Sequence, residues 1–267
     1  MQLTRLMIGV GAALAFQLAI IGLGFVLERI GATRPPDAGR LTLNIAYLMP
    51  FDLMNAVLGP LSSAGVALLV NSLGGGLIEL PTSGVGLLLS IACYALAMDA
   101  GEYWFHRAQH RVPALWSLHS LHHSDPAVNV STTYRHFWGD QFLKAISIYA
   151  VVGLIFKVNT VVLTAYGFFT LYNAFLHTDV RVGFGRWSAW LNSPQYHRLH
   201  HSSLREHHDC NFAQFFPVFD LLCNTYRGPK INEYPPTGLD TGEVPYQLHG
   251  MFLWPWRREF RIPMRIR

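Results

Sequence analysis

Residues 84–123 read GVGLLLSIACYALAMDAGEYWFHRAQHRVPALWSLHSLHH, an apolar run that passes without a break into five histidines. No residue from 84 to 98 is charged, so this third apolar stretch of the chain has the character of a membrane helix. Its continuation, DAGEYWFHRAQH, is expected to stay helical. Residues three, four and seven apart share a helix face, so Asp99, Tyr103, His106 and His110 fall near one side. His106 and His110 can then bind one ion. Asp99, two turns back, is placed to accept a proton from a ligand imidazole and fix its tautomer, with Glu102 as a second candidate. After the turn at Pro113, His119, His122 and His123 form H-x-x-H-H. The adjacent pair points about 100° apart on a helix, so its two members can serve different ions.

Further along stand His177, at the end of LYNAFLH, and HRLHH with His197, His200 and His201. Asn173 lies one turn before His177 and is placed to orient it or to touch a bound water. Neutral imidazole is the commonest ligand for transition metals, and nine in clustered spacing are too many for one zinc. The zinc-peptidase motif H-E-x-x-H is absent. Cys93, Cys210 and Cys223 make no C-x-x-C pair. Nine imidazoles over two ions leave each with four or five ligands. Iron suits that set; zinc and copper remain open on ligand type. His136 has no partner at ligand spacing and reads as a hydrogen-bonding or substrate-side residue. His207 and His208 read as solvated or supporting, and His249 as incidental.

The rest of the chain reads as membrane protein. Of 267 residues, 51% are hydrophobic and 13% charged, about half the charged share of a soluble protein. Residues 7–27 form a first span, retained rather than cleaved. A second apolar stretch, 43–70, is interrupted by Pro50, Asp52 and Pro60 and is expected to be kinked or partly interfacial. Residues 71–83 read as a Gly-rich exposed turn. The runs 142–156 and 160–176 are expected to form a helical hairpin.

Charge distribution adds a topology. Of the 20 Lys and Arg residues, only Arg5 and Lys157 fall outside 28–40, 106–144 and 178–267. The positive-inside rule puts those three regions, and the clustered histidines, on the cytoplasmic side. Net charge is +4, without the dense basic stripe and stacking aromatics of a nucleic-acid binder. The expected fold is all-α and integral to the membrane. It has four to five transmembrane helices and a cytoplasmic helical cap around a di-metal site. The expected divisions are 1–98 for N-terminal spans, 99–227 for a catalytic domain with the 142–177 hairpin, and 228–267 for a polar tail.

DAGEYWFHRAQH, HSLHH, NAFLH, HRLHH and DCNFAQFFPVFDLLCNTY, in this order, resemble the fatty acid hydroxylase superfamily, which includes sterol desaturases, sterol methyl oxidases, carotenoid hydroxylases and alkylglycerol monooxygenases. The resemblance covers about residues 99–227. It implies that His106, His110, His119, His122, His123, His177, His197, His200 and His201 hold two iron ions. Some members carry a histidine where Asn173 stands, so this chain has one fewer. The implied activity is O2-dependent hydroxylation or desaturation of an unactivated C–H bond in a membrane lipid. No haem, flavin or dinucleotide domain is evident, so the resemblance implies electrons from a separate ferredoxin or cytochrome. The competing reading is a membrane metal- or haem-binding protein without oxygenase activity, and a lipid-cleaving zinc hydrolase is a further rival. Which lipid is used, and the oligomeric state, are not written in the residues.

Overall fold

The computed structural model describes residues 2–31, 37–157 and 159–256. Arg34, Pro35 and Pro36 of the expected polar loop, and the end of the basic tail from 257, lie outside the described residues. The described chain is helical, with only two isolated bridge pairs and no strand. Three helices are long and apolar enough to cross a membrane: α1 (Gln2–Gly31), α2 (Ala38–Ser72) and α3 (Gly84–Arg111). At 1.5 Å per residue even α3 runs about 42 Å, beyond the roughly 30 Å hydrocarbon layer. Leu61, Leu68, Val85 and Leu88 are exposed on these helices. Such a surface needs lipid around it.

The second stretch, expected to be kinked or partly interfacial, is one continuous helix. Pro50 and Pro60 both lie inside a single 35-residue α2. A proline removes one backbone donor, a loss that neighbouring groups make good in a membrane helix. Asp52 is buried and takes a 2.9 Å hydrogen bond from Gln17 Nε2 on α1, so the polar residue joins α1 to α2.

The two runs expected to form a hairpin are both helical, and both pack on α3. The first is α5 (Asp140–Lys144), a π-helical turn (Ala145–Tyr149) and α6 (Ala150–Ile155); the second is α7 (Thr160–Leu176). At 17 residues, α7 reaches only about 25 Å. The link between them is nevertheless clasped by the loop after α2. Leu77 N and Ile78 N donate to Leu154 O and Ile155 O, and Lys157 pairs with Glu79 at 3.1 Å. The expected exposed turn is therefore partly a seat for that link. Tyr94, Met98, Ile148, Val152, Phe156, Phe169 and Phe215 pack between the two runs and α3.

The opposite end gathers everything else. Glu28, near the end of α1, accepts backbone N–H groups from Val130 (2.7 Å) and Asp179 (2.9 Å). Asn44 on α2 donates to Asp125 (3.0 Å) and accepts from Arg135 (2.8 Å). The three basic regions thus meet at one end of the helices. In the last described segment, part of the expected polar tail, α9 (Leu248–Phe252) and Trp254 bury Met251 and Trp254 against Tyr47, Phe51 and Leu121.

Candidate metal centre

Four segments bring the histidines together. His106 and His110 lie one turn apart at the end of α3. Pro113 starts α4 (Pro113–His123), which folds back along α3 and carries His119, His122 and His123. His177 follows the last residue of α7. Ser193 caps α8 (Pro194–His200) by accepting from Tyr196 N, and Pro194 occupies the first turn, where its missing N–H costs nothing. That short helix supplies His197 and His200, and His201 follows it.

The nine rings divide into two sets. Donor atoms of His106, His110, His119, His123 and His200 lie within 4.8 Å of one another, as do those of His122, His177, His197 and His201. Several Nε2 atoms face each other directly: His110 and His123 at 3.2 Å, His122 and His177 at 3.0 Å, His177 and His197 at 3.1 Å, His197 and His201 at 3.2 Å. Nitrogens around a common ion at about 2.1 Å stand about 3 Å apart.

Tautomers follow from the outer partners. Nδ1 of His106, His200 and His177 lies 2.8–2.9 Å from the carbonyls of Phe212, Cys210 and Asn173. A carbonyl only accepts, so Nδ1 holds the proton and Nε2 keeps its lone pair turned inward. Nε2 of His106 and His200, and both nitrogens of His119, are buried without a hydrogen-bond partner. Buried polar atoms are rarely left so. Inward lone pairs lacking donors fit transition metal ions held by imidazole. Burial holds His200 down to about 4, and His119, His122, His123, His197 and His201 lie well below the ordinary histidine range, from burial first and then from neighbouring imidazoles. They are neutral at pH 7, the state a ligand needs.

Asp99 plays a different part from the one expected. Its carboxylate meets no imidazole: it accepts the backbone N–H groups of Gln214, Phe215 and Phe216 at 2.5–3.2 Å. Asp220 does the same for Phe212 and Ala213 at 2.9 and 2.8 Å, and also takes Tyr196 and Thr225 hydroxyls. Two buried carboxylates therefore hold the 210–216 loop whose carbonyls orient His106 and His200. Tyr103 OH lies 2.9 Å from Thr225 Oγ1 and accepts from Arg107, supporting the same loop. Glu102 pairs with Lys144 at 3.0 Å instead of reaching a ligand. Asn173 orients His177, through its backbone carbonyl.

His136 is closer to the centre than its isolation in sequence suggested. Its ring stacks on His122 at 4.1 Å and 14°, and it groups with His119 and Asp140. Asp140 in turn accepts from Gln109 at 2.7 Å. His207 is buried against Ser202 Oγ (2.9 Å), in a supporting place, while His208 and His249 are exposed. Sequence reasoning missed Asp220 and the buried Asn44–Asp125–Arg135 cluster that ties α4 to α2. Asp220 lies within the quoted DCNFAQFFPVFDLLCNTY, but nothing there marked its partners.

A sequence model of the fatty acid hydroxylase family matches residues 91–225, about half of the chain. Alkylglycerol monooxygenase of Homo sapiens is 33% identical over 165 residues, covering 60% of this chain and 36% of that protein. An ornithine lipid hydroxylase of Rhizobium tropici is 26% identical over 164 residues, 61% of this chain and 49% of that protein. A Delta(7)-sterol 5(6)-desaturase of Schizosaccharomyces pombe is 28% identical over 146 residues, 54% and 41% respectively. The chain spans about a third of the length of the alkylglycerol monooxygenases it matches. No solved structure matches it. The matched segment starts within α3, ends after Asp220 and takes in all nine histidines, and by that match the chain belongs to the fatty acid hydroxylase family.

Proposed function

We propose that this chain is a membrane oxygenase that hydroxylates or desaturates an unactivated C–H bond of a lipid, using O2 and two iron ions. The observation that carries this reading is the division of nine imidazoles, eight of them buried and His106 partly so, into sets of five and four with inward nitrogens, inside a segment matching a family of lipid oxygenases. His106, His110, His119, His123 and His200 hold one ion; His122, His177, His197 and His201 hold the other. The ions supply the activation of O2, chemistry that no amino-acid side chain provides.

The chain's own residues do the rest. Phe212, Cys210 and Asn173 carbonyls keep Nδ1 protonated, so the ligand atoms are set before an ion binds. Asp99 and Tyr103 are positioning residues that act through the 210–216 loop. His119 and His122, each beside His136, are buried together with the carboxylate of Asp140, which keeps bulk water from the centre. Asn173 takes its place by fixing His177. Hydroxylation would place one oxygen atom in the C–H bond and reduce the other to water, with two electrons and two protons from outside.

Those electrons would come from a separate carrier of ferredoxin or cytochrome type. Arg111, Arg205 and Lys230 are exposed at the histidine end, which suits an acidic partner. The same basic bias supports a cytoplasmic site in a multi-pass protein. The test is direct. Iron-loaded protein in vesicles is given a total lipid extract, O2 and a reduced carrier, and products are read by mass spectrometry. A lipid gaining one oxygen atom, or losing two hydrogens, only when O2, iron and reductant are all present supports the reading. Turnover without O2 overturns it in favour of a hydrolase.

A further inference from the structure

One aromatic turn takes no part in the metal centre. Residues 181–190 read RVGFGRWSAW and lie between His177 and α8. Gly185–Ala189 form a 3-10 turn, closed by Trp190 N donating to Trp187 O at 2.9 Å. Residues three apart eclipse on such a turn, so Trp187 and Trp190 share its outer side while Ser188 is buried. Trp187 is 59% exposed and Trp190 72%. Val182, Arg181 and Arg186 are exposed beside them. Two uncovered indoles in one short turn form an apolar patch that calls for an occupant.

Packing sets the level of this turn. After His177 the chain does not run on away from the spans; it returns along α7. Tyr172 OH, more than a helical turn before His177, donates to Asn192 O, and Leu191 packs on the cluster of Tyr94, Phe169 and Phe215. Asn192 N donates to Phe215 O at 3.0 Å, and Phe215 N donates to Asp99 at 2.9 Å. Asp99 fixes the depth. Counted from the first residue of α3 it lies about 22 Å along the helix, inside a hydrocarbon layer of roughly 30 Å. Trp190, the chain neighbour of Leu191, is thereby carried to the edge of that layer. Phe168 and Leu171, on the turn of α7 that carries Tyr172, are exposed as well.

The side-chain chemistry agrees. An indole joins a large apolar ring to one N–H, a combination suited to the boundary between hydrocarbon and headgroups. The Arg186 guanidinium lies 5.1 Å from the Trp187 ring centre, and that of Arg181 lies 4.9 Å from the Tyr234 ring centre. Among the described residues neither pairs with a carboxylate, so both are left to meet an anion from outside. An acidic protein face would match the arginines but not a turn held at this depth.

We propose that the 181–190 turn is seated in the headgroup layer of the bilayer, with its two indoles among glycerol backbones and its two arginines on lipid phosphates. The occupant is a phospholipid surface. The contact holds the segment between His177 and His197 against the membrane, and it does not depend on the chemistry at the metal centre.

The experiment places p-benzoylphenylalanine at position 190 of the full chain, in vesicles of phosphatidylcholine and anionic phosphatidylglycerol. After photolysis, adducts are identified by mass spectrometry. Lipid should be attached at position 190, through its glycerol or first acyl carbons. The same probe at Leu68, exposed on α2, should also capture lipid; at Thr241, exposed in a polar loop, it should capture none. If the chain with the probe at position 190 loses its metal, the probe at position 187 takes its place. With Arg181→Ala and Arg186→Ala together, capture at position 190 should fall at least about fivefold, the factor for one basic residue near an anionic leaflet. A probe in the turn that captures no lipid while Leu68 does overturns the proposal. Capture of a second copy of the chain overturns it too, and would make the turn a protein interface. Lipid capture at Thr241 equal to that at position 190, or undiminished capture without the two arginines, also counts against it.

Discussion

His122 and His123 are adjacent in the chain but belong to different halves of the centre: His122 Nε2 lies 3.0 Å from His177, and His123 Nε2 lies 3.2 Å from His110. His200 and His201 divide in the same way. The cause is helix geometry, since successive residues point about 100° apart. Each H-x-x-H-H motif therefore spans both sets, and α4 and α8 face each other across the pair of sites. Ring stacking reinforces this, with His123 over His201 at 4.4 Å and 17°.

The division predicts graded metal loss. His201→Ala removes one of four donors from one set and leaves the five-histidine set whole, so the metal content should fall from two ions toward one. His200→Ala should do the same to the other set. Activity should vanish in both, and in His122→Ala. His249→Ala, altering an exposed ring on α9, should keep both ions and full turnover. Elemental analysis beside an activity assay checks all four; full metal content in His201→Ala would refute the ligand assignment.

Asp99→Ala leaves three backbone N–H groups, of buried Phe215 and partly buried Gln214 and Phe216, without an acceptor. Losing a charged acceptor of this kind should cost about 2–5 kcal/mol of stability. Because the 210–216 loop orients His106 and His200, metal affinity should also drop about 10–100-fold. Asp99→Asn, whose amide oxygen still accepts, should recover part of both losses. Thermal unfolding and competitive chelation measure the two effects. A variant with ordinary metal affinity but lowered stability would show that the loop does not act on the ligands.

Metal-free protein should become less stable in acid. His200 is held at about 4 in the folded chain, against an ordinary 6.5, and its neighbours are lowered too. Below about 6.5 the unfolded chain takes up protons that the buried rings refuse. Stability is thus complete above the unfolded value, is lost as pH falls from about 6.5 toward the folded values, and is flat below them. Unfolding midpoints of chelator-treated protein across that window test the sign; a midpoint that does not move would mean the rings are not buried and neutral.

Trp254→Ala should disturb a metal site it does not touch. Trp254 is fully buried and donates to Ser120 Oγ at 3.0 Å, in the turn of α4 between His119 and His122. Removing so large a buried side chain costs about 3–5 kcal/mol. The expected outcome is a lower unfolding temperature together with weakened binding in both sets, because α4 contributes to each. Unchanged metal content in a destabilised but folded variant would separate the packing of α4 from its ligand role.

The membrane character and the nine metal-ligand candidates were legible in the residues themselves. Apolar runs longer than a bilayer is thick have few alternatives, and imidazoles at i, i+3 and i+4 spacing must share a helix face. The helical character of 142–156 and 160–176 was legible for the same reason, from two apolar runs parted by Lys157 and Asn159. Pro50 and Pro60 do not end α2, and a local rule about lost backbone donors does not know which neighbours restore them.

Local spacing had nothing to say about partners far along the chain. Asp99 ended on the amides of residues 214–216, Glu28 on Val130 and Asp179, and Trp254 on Ser120, all more than a hundred positions away. The sequence by itself determined which side chains could bind metal and which helices needed lipid, because those are properties of composition and period. Only the tertiary structure decided which rings lie together and which carboxylates support the loop behind them, because each depends on how separate helices pack.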